Sequence, residues 1–272
     1  MTAAALLADT ARPSYLAYLA ATVGLPLVGL AAVWTVRGRT WVDALGVVAL
    51  MAIAFSYTYV WDGTLIERGV WWYGEGVVTA RVWVIPLGEL AFFLLQTALT
   101  GVWLVALDPS VDADRPAAVR SRTSGLLGIA ALELAGVALS YTTAGHYLGA
   151  ILMWGGPILG FLWLLGGPVI WRARRLVVAG IAAPTGYLWI VDRIAIGLGL
   201  WSISPTHTTG LAVAGLPIEE MVFFLVTNTL VVFGLMLYLW VVARTEHHSL
   251  TASLLGLFPR GGVGTPTSSR RE

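Results

Sequence analysis

Carboxylates at the head of long apolar runs are the residues in this chain best suited to chemistry, and they occur in two matching copies. Pro86-Leu87-Gly88-Glu89 leads into Leu90-Ala91-Phe92-Phe93-Leu94, and 131 positions later Pro217-Ile218-Glu219-Glu220 leads into Met221-Val222-Phe223-Phe224-Leu225. Glutamate beside hydrocarbon is costly, so placing it twice with aromatic pairs at the same spacing points to a shared site. On a helix, Glu220, Phe223, Phe224, Thr227 and Asn228 fall at i, i+3, i+4, i+7 and i+8 and share one face, as do Glu89, Phe92, Phe93, Gln96 and Thr97. An acid backed by aromatic rings in a dry pocket suits acid–base work on an apolar substrate, such as alkene protonation followed by rearrangement of the cation. A ring face stabilises a cation by about 0.5–2 kcal/mol. The competing explanation is local: proline opens the helix and glutamate complements its dipole, an effect of about 0.3–1 kcal/mol. Enclosure decides between the two, because only a covered carboxyl can act as an acid in dry surroundings.

Composition sets the medium. The 272 residues are 58% hydrophobic and 11% charged, with a mean hydropathy of +0.81, which excludes an ordinary soluble fold and implies an integral membrane protein. The chain has no Cys, hence no disulfide, thiolate nucleophile or sulfur metal site. All sixteen basic residues are Arg, so Schiff-base chemistry at a lysine, including a retinal linkage, is impossible. A net charge of +1, with Arg in short clusters, argues against a nucleic-acid partner. No His/carboxylate run has metal-ligand spacing and no G-x-G-x-x-G follows a strand, so neither a metal nor a cofactor is expected.

Seven apolar runs, at 14–36, 41–61, 86–107, 124–142, 146–166, 176–200 and 217–242, are long enough to cross about 30 Å of hydrocarbon. The expected fold is all-α and polytopic. Twelve of the sixteen Arg residues fall in connectors on one side, which places the N-terminus outside and the C-terminus in the cytoplasm of a multi-pass cell-membrane protein. The N-terminal stretch lacks the features of a cleaved signal. The duplication extends upstream of the glutamates: Asp62 precedes Trp71 by nine residues and Asp192 precedes Trp201 by nine. A three-helix unit inverts on direct repetition, but the run at 124–142 restores the orientation. The expectation is therefore two parallel three-helix repeats, 14–107 and 146–242, joined by a connector helix within a single domain of residues 1–248. Residues 249–272, rich in Gly, Ser, Thr, Pro and Arg, read as a disordered cytoplasmic tail.

Asp62 and Asp192 are candidate substrate-site residues, with helix termination and pairing to Arg68 and Arg193 as the alternative. Trp71 and Trp201 belong either to the site or, with Trp72, Tyr73 and Trp83, to an interfacial aromatic belt. Glu133 lies near the middle of the fourth run, where an interhelical hydrogen bond would satisfy it as well as a function would. His146 and His207 read as solvated loop residues.

The paired P-x-E-E-like motifs followed by Phe-Phe, with the upstream Asp and the Trp-containing turn, resemble the integral-membrane lycopene β-cyclases of archaea, actinobacteria and fungi. The resemblance covers most of the chain, its most specific part is Gly215-Leu216-Pro217-Ile218-Glu219-Glu220 with Phe223-Phe224, and it implies a fused form of two small subunits. Gly88 departs from the pattern by replacing the first acid of the first copy. What the resemblance implies is cyclisation of a carotenoid ψ end group to a β-ionone ring without net redox change. Glu220 would be general acid, Glu219 or Glu89 its partner or base, and Phe92, Phe93, Phe223 and Phe224 cation-stabilising walls, with Asn228 also at the substrate. Lycopene or a related carotenoid is the implied partner, with other membrane enzymes of carotenoid synthesis as neighbours in the bilayer. The alternatives are a carotenoid hydratase, in which water captures the same cation, and a non-catalytic membrane carrier.

Overall fold

The computed structural model describes residues 12–109 and 119–245. The tail at 249–272 lies outside the described residues. Among the described residues, seven helices are long and apolar enough to cross a membrane: α1 (Tyr15–Val36), α2 (Trp41–Glu67), α3 (Leu87–Ala106), α4 (Val119–Ser140), α5 (His146–Arg172), α6 (Arg174–Gly197) and α7 (Ile218–Thr245). The protein is a helical, multi-pass membrane protein.

Local sequence sets the helix ends. Ser14 caps α1 by accepting from the Ala17 amide, and a capping box between Thr40 and Asp43 starts α2. One π-helical turn, Ala20–Gly24, interrupts α1. Helices α2 and α6 both stop short of a glycine at φ +68°, Gly69 and Gly199, a conformation that strains any residue with a Cβ. The expected end of the second run at residue 61 was therefore too early. The helix continues through Glu67 and carries Asp62 inside it rather than beyond it. Asp192 likewise lies within α6.

Six short strands, absent from the reading of the sequence, lie between the helices: β1 (Trp71–Tyr73), β2 (Arg81–Val82), β3 (Ile85–Pro86), β4 (Trp201–Ile203), β5 (Ala212–Val213) and β6 (Leu216–Pro217). Strands of two or three residues leave almost no period-2 signature, which is why they were missed. β1 pairs antiparallel with β4, and the register is symmetric about Trp72 and Ser202. β2 pairs with β3 and β5 with β6 as matching hairpins. Their backbone bonds recur at a nearly constant offset. Val70 N donates to Leu65 O and Leu200 N to Ala195 O; Leu87 N donates to Ala80 O and Ile218 N to Leu211 O. The first turns of two helices are fixed in the same manner, Tyr15 N to Val77 O and Tyr147 N to His207 O.

Helices α3 and α7 are the most buried and form the centre. α1 and α2 pack on α3, whereas α5 and α6 pack on α7. α4 is the most peripheral helix and packs on α5. A buried polar knot holds the centre: Asn228 Oδ1 accepts from Gln96 Nε2 and Thr100 Oγ1, both at 2.6 Å, and Asn228 Nδ2 donates to Thr185 Oγ1 at 2.8 Å. Such bonds tie membrane helices together because a bare amide in hydrocarbon is costly.

Candidate active site

At the end of the bundle capped by β1 and β4, one narrow cavity is lined by four acids, each from a different helix: Asp62 (α2), Glu89 (α3), Asp192 (α6) and Glu220 (α7). Asp62, Asp192 and Glu220 are between 2% and 6% exposed, while Glu89 is partly buried. Helix α7 alone would bring Glu220 only to the edge of the hydrocarbon. It is the strand pair, carrying Trp71, Tyr73, Trp201 and Ile203, that encloses the acids.

The acids differ in their hydrogen bonds. Glu89 Oε2 accepts from the Tyr15 hydroxyl at 2.9 Å and from the Tyr73 hydroxyl at 2.8 Å. Tyr73 in turn accepts from Trp71 Nε1 at 3.0 Å. Asp192 Oδ1 accepts from Trp201 Nε1 at 2.8 Å. Tyr147 brings its hydroxyl beside Glu220. Asp62 Oδ2, Asp192 Oδ2 and Glu220 Oε1 are buried without a protein partner. Among the described residues neither aspartate forms an ion pair; Arg193 donates to the Ala214 carbonyl instead. Burial first, and then the nearby Glu89, push the Tyr73 phenol well above its usual range, so it remains a donor.

Aromatic rings make the rest of the wall. Phe92 meets Phe224 edge-on at a centroid distance of 6.1 Å and an interplanar angle of 88°. Phe223 packs on Phe224 at 5.4 Å, and Trp61 lies parallel to Phe223 at 6.2 Å. All four rings line the cavity. Aromatic ring faces carry the negative end of a quadrupole, which suits a wall beside a developing cation.

Of the residues singled out from sequence, Asp62, Glu89, Asp192, Glu220, Trp71, Trp201, Phe92, Phe223 and Phe224 line this cavity. Three do not. Phe93 faces an adjoining apolar groove, Asn228 is consumed in the polar knot, and Glu219 is turned toward a loop. Glu219 Oε1 accepts from both the amide and the hydroxyl of Thr209 at 2.8 Å. Gly88, its counterpart, lies against the Tyr15 ring, which an added Cβ would meet at 2.5 Å. Glu133 lies at the α4–α5 seam against Gly156 and lines neither cavity. His146 and His207 are partly buried and meet at 5.6 Å with their rings tilted by 57°, and Trp72 and Trp83 are about half exposed. Among the described residues, no group of three metal-ligating side chains is present.

Sequence reasoning missed Tyr15, Tyr147 and Trp61, and it left Tyr73 in the aromatic belt. A signal existed for two of them: Ser14-Tyr15-Leu16 and His146-Tyr147-Leu148 begin the first and fifth runs 132 positions apart, so the duplication reaches further upstream than Asp62.

Residues 12–106 and 158–241 match the family described as Lycopene cyclase. The chain is 44% identical over 235 residues to the lycopene beta-cyclase of Halobacterium salinarum (strain ATCC 29341 / DSM 671 / R1), covering 85% of this chain and 98% of that protein. It is 38% identical over 205 residues to the bifunctional lycopene cyclase/phytoene synthase of Gibberella fujikuroi, covering 71% of this chain and 34% of that protein. With the bifunctional lycopene cyclase/phytoene synthase of Aspergillus niger, identity is 33% over 223 residues, or 77% of this chain and 37% of that protein. No solved structure matches the chain.

Proposed function

Since the chain belongs to the lycopene cyclase family, we propose that its four-acid cavity converts the ψ end groups of lycopene to β-ionone rings by proton transfer in and out of one aromatic chamber. The observation that carries this reading is the meeting of Asp62, Glu89, Asp192 and Glu220 among Phe92, Phe223, Phe224 and Trp61. Carboxyl groups that crowd one dry site cannot all be charged, and such clusters share protons. That suits a reaction that takes up one proton and returns one.

Glu220 is the general acid. Its side chain lines the cavity and its Oε1 has no protein partner, which leaves a proton uncommitted and available to the terminal double bond of the end group. Protonation there leaves a tertiary cation. The π electrons of the neighbouring double bond close the six-membered ring and move the cation to the next tertiary carbon. The face of Phe92, Phe223 or Phe224 stabilises that charge by about 0.5–2 kcal/mol. Glu89 is the base: two tyrosine hydroxyls on one oxygen suit the carboxylate form and leave Oε1 to take the adjacent ring proton. Electrons balance without an oxidant. Trp201 orients Asp192, and Asp62 completes the proton-sharing set. Glu219 supports the site through its loop.

In the same reading the two halves of the chain are parallel repeats within one domain, supported by the symmetric β1–β4 register and the recurring backbone bonds. The cavity faces the outer side of the cell membrane, as the Arg distribution suggests. Lycopene reaches it from the bilayer, where other carotenoid-synthesising membrane enzymes supply it.

Expression in a lycopene-accumulating host tests the reading. Wild type should yield ring-bearing pigment of the same mass as lycopene, and Glu220→Gln should leave lycopene unconverted with protein retained in the membrane. Full activity of Glu220→Gln would overturn the acid assignment. A product heavier by one water would make the protein a hydratase.

A further inference from the structure

Next to the acid cavity, helices α2, α3, α5 and α7 enclose a second space of about 270 Å³. We propose, resting on the cyclisation reading, that this groove holds the polyene arm of the carotenoid while one of its end groups occupies the acid cavity, and that the substrate slides in sideways between α2 and α5.

Continuity supports the proposal first. Phe92 and Phe223, at equivalent positions of the two motifs, line both spaces, so a chain leaving the acids passes directly between these rings. The groove then runs along α7 from Phe223 to Gly234, eleven residues or about 16 Å of helix. A forty-carbon polyene is about as long as the roughly 30 Å hydrocarbon layer is thick. The groove thus grips about half of it beyond the reacting end.

The lining, mostly apolar side chains and aromatic rings, fits a conjugated hydrocarbon. Four of its polar side chains spend their hydrogen bonds on the protein, whereas Trp154 Nε1 is buried without a protein partner. Tyr57 Oη donates to the Trp154 carbonyl at 2.8 Å and Thr97 Oγ1 to the Phe93 carbonyl at 2.8 Å. Thr227 Oγ1 donates to the Phe223 carbonyl at 2.9 Å, and Gln96 Nε2 is committed to Asn228. Methyl groups and ring faces remain toward the space. Planar rings from Phe93, Tyr57, Trp154 and Phe161 flank the groove and match a flat polyene by stacking.

The access route follows from packing. α2 and α5 both lie against α7 and touch each other where Tyr57 and Trp61 stack on Trp154; the groove opens beyond this contact, one to two helical turns further along both helices. At this seam Ile53 of α2 is 62% exposed and Phe161 of α5 is 56% exposed, and both line the groove. In a bilayer such a mouth faces acyl chains, the phase in which the substrate dissolves. One groove serves one end at a time, so cyclising both ends requires release and rebinding in reverse.

The test uses the full-length protein in lipid vesicles with two substrates: lycopene and an acyclic ψ-ended polyene of half its length. Leu50→Trp and Leu162→Trp fill the far end of the groove, and Val60→Trp, at a lipid-exposed position of α2, is the control. The expected result is that each groove variant raises KM for lycopene about tenfold or more while turning over the half-length substrate as wild type does, with Val60→Trp unchanged on both. Equal effects on the two substrates in both groove variants, or no effect on either, would overturn the groove assignment. Failure of the wild-type protein to cyclise lycopene at all would instead refute the underlying reaction.

Discussion

The Tyr15 hydroxyl meets Glu89 Oε2 at 2.9 Å across 74 residues of sequence, and Tyr147 stands beside Glu220 in the other half of the chain. Each of the two glutamates that line the cavity therefore has a tyrosine from the start of a distant helix. A hydrogen bond to a charged group is worth about 1.5–3 kcal/mol, and each 1.4 kcal/mol is about tenfold in rate. Tyr15→Phe should accordingly lower kcat about 10–100-fold. Tyr73→Phe should act similarly, and because both hydroxyls share one oxygen, the double variant should lose less than the product of the two. Turnover at saturating lycopene measures all three.

Gly88 is where the first motif lacks its first acid, the counterpart of Glu219. Restoring the pattern with Gly88→Glu should reduce activity, because any Cβ there strikes the Tyr15 ring at 2.5 Å. Overpacking of this kind costs about 1–3 kcal/mol. Gly88→Ala should show the same defect in milder form, with lower thermal stability and slower ring closure. Improved activity in Gly88→Glu would mean that the first acid of the motif is catalytic in both copies.

Glu219 anchors a loop through two bonds to Thr209. Glu219→Gln keeps the acceptor oxygen and should retain most activity, while Glu219→Leu strips both bonds and should cost about 1–3 kcal/mol of stability. Thr209→Val removes the hydroxyl but not the amide, so it should cost less. Thermal unfolding in detergent, read beside turnover, separates this anchoring role from a catalytic one.

Asn228 is predicted to matter for assembly rather than turnover. Asn228→Leu breaks the bonds to Gln96, Thr100 and Thr185. Interhelical bonds in membranes contribute about 0.6 kcal/mol on average and up to roughly 1.7 kcal/mol each, so the loss should appear as a lower unfolding temperature. KM for lycopene should be little changed.

Much of this was legible before any coordinates. Seven spans followed from hydropathy, and the duplicated motifs singled out Glu89, Glu220 and the Phe pairs because a costly residue type recurred at fixed spacing. Asp62, Asp192, Trp71 and Trp201 followed from the same offset. What could not be read was direction. Adjacent glutamates at 219 and 220 differ by about 100° around a helix, and no pattern says which one faces inward. Asn228 shares the motif face but is taken up by Gln96 and Thr185, partners set by tertiary packing. The lid was invisible because β1 and β4 have three residues each and pair across 130 positions. Tyr15 and Tyr147 lay in the duplication but outside the motif that drew attention to it.

Solvent isotope incorporation tests the central claim, that the cavity delivers a proton to carbon and removes another. Purified protein turning over lycopene in D₂O should yield product carrying one carbon-bound deuterium for each ring formed, with no added oxygen, and Glu220→Gln should yield none. Rings formed without deuterium would contradict the account.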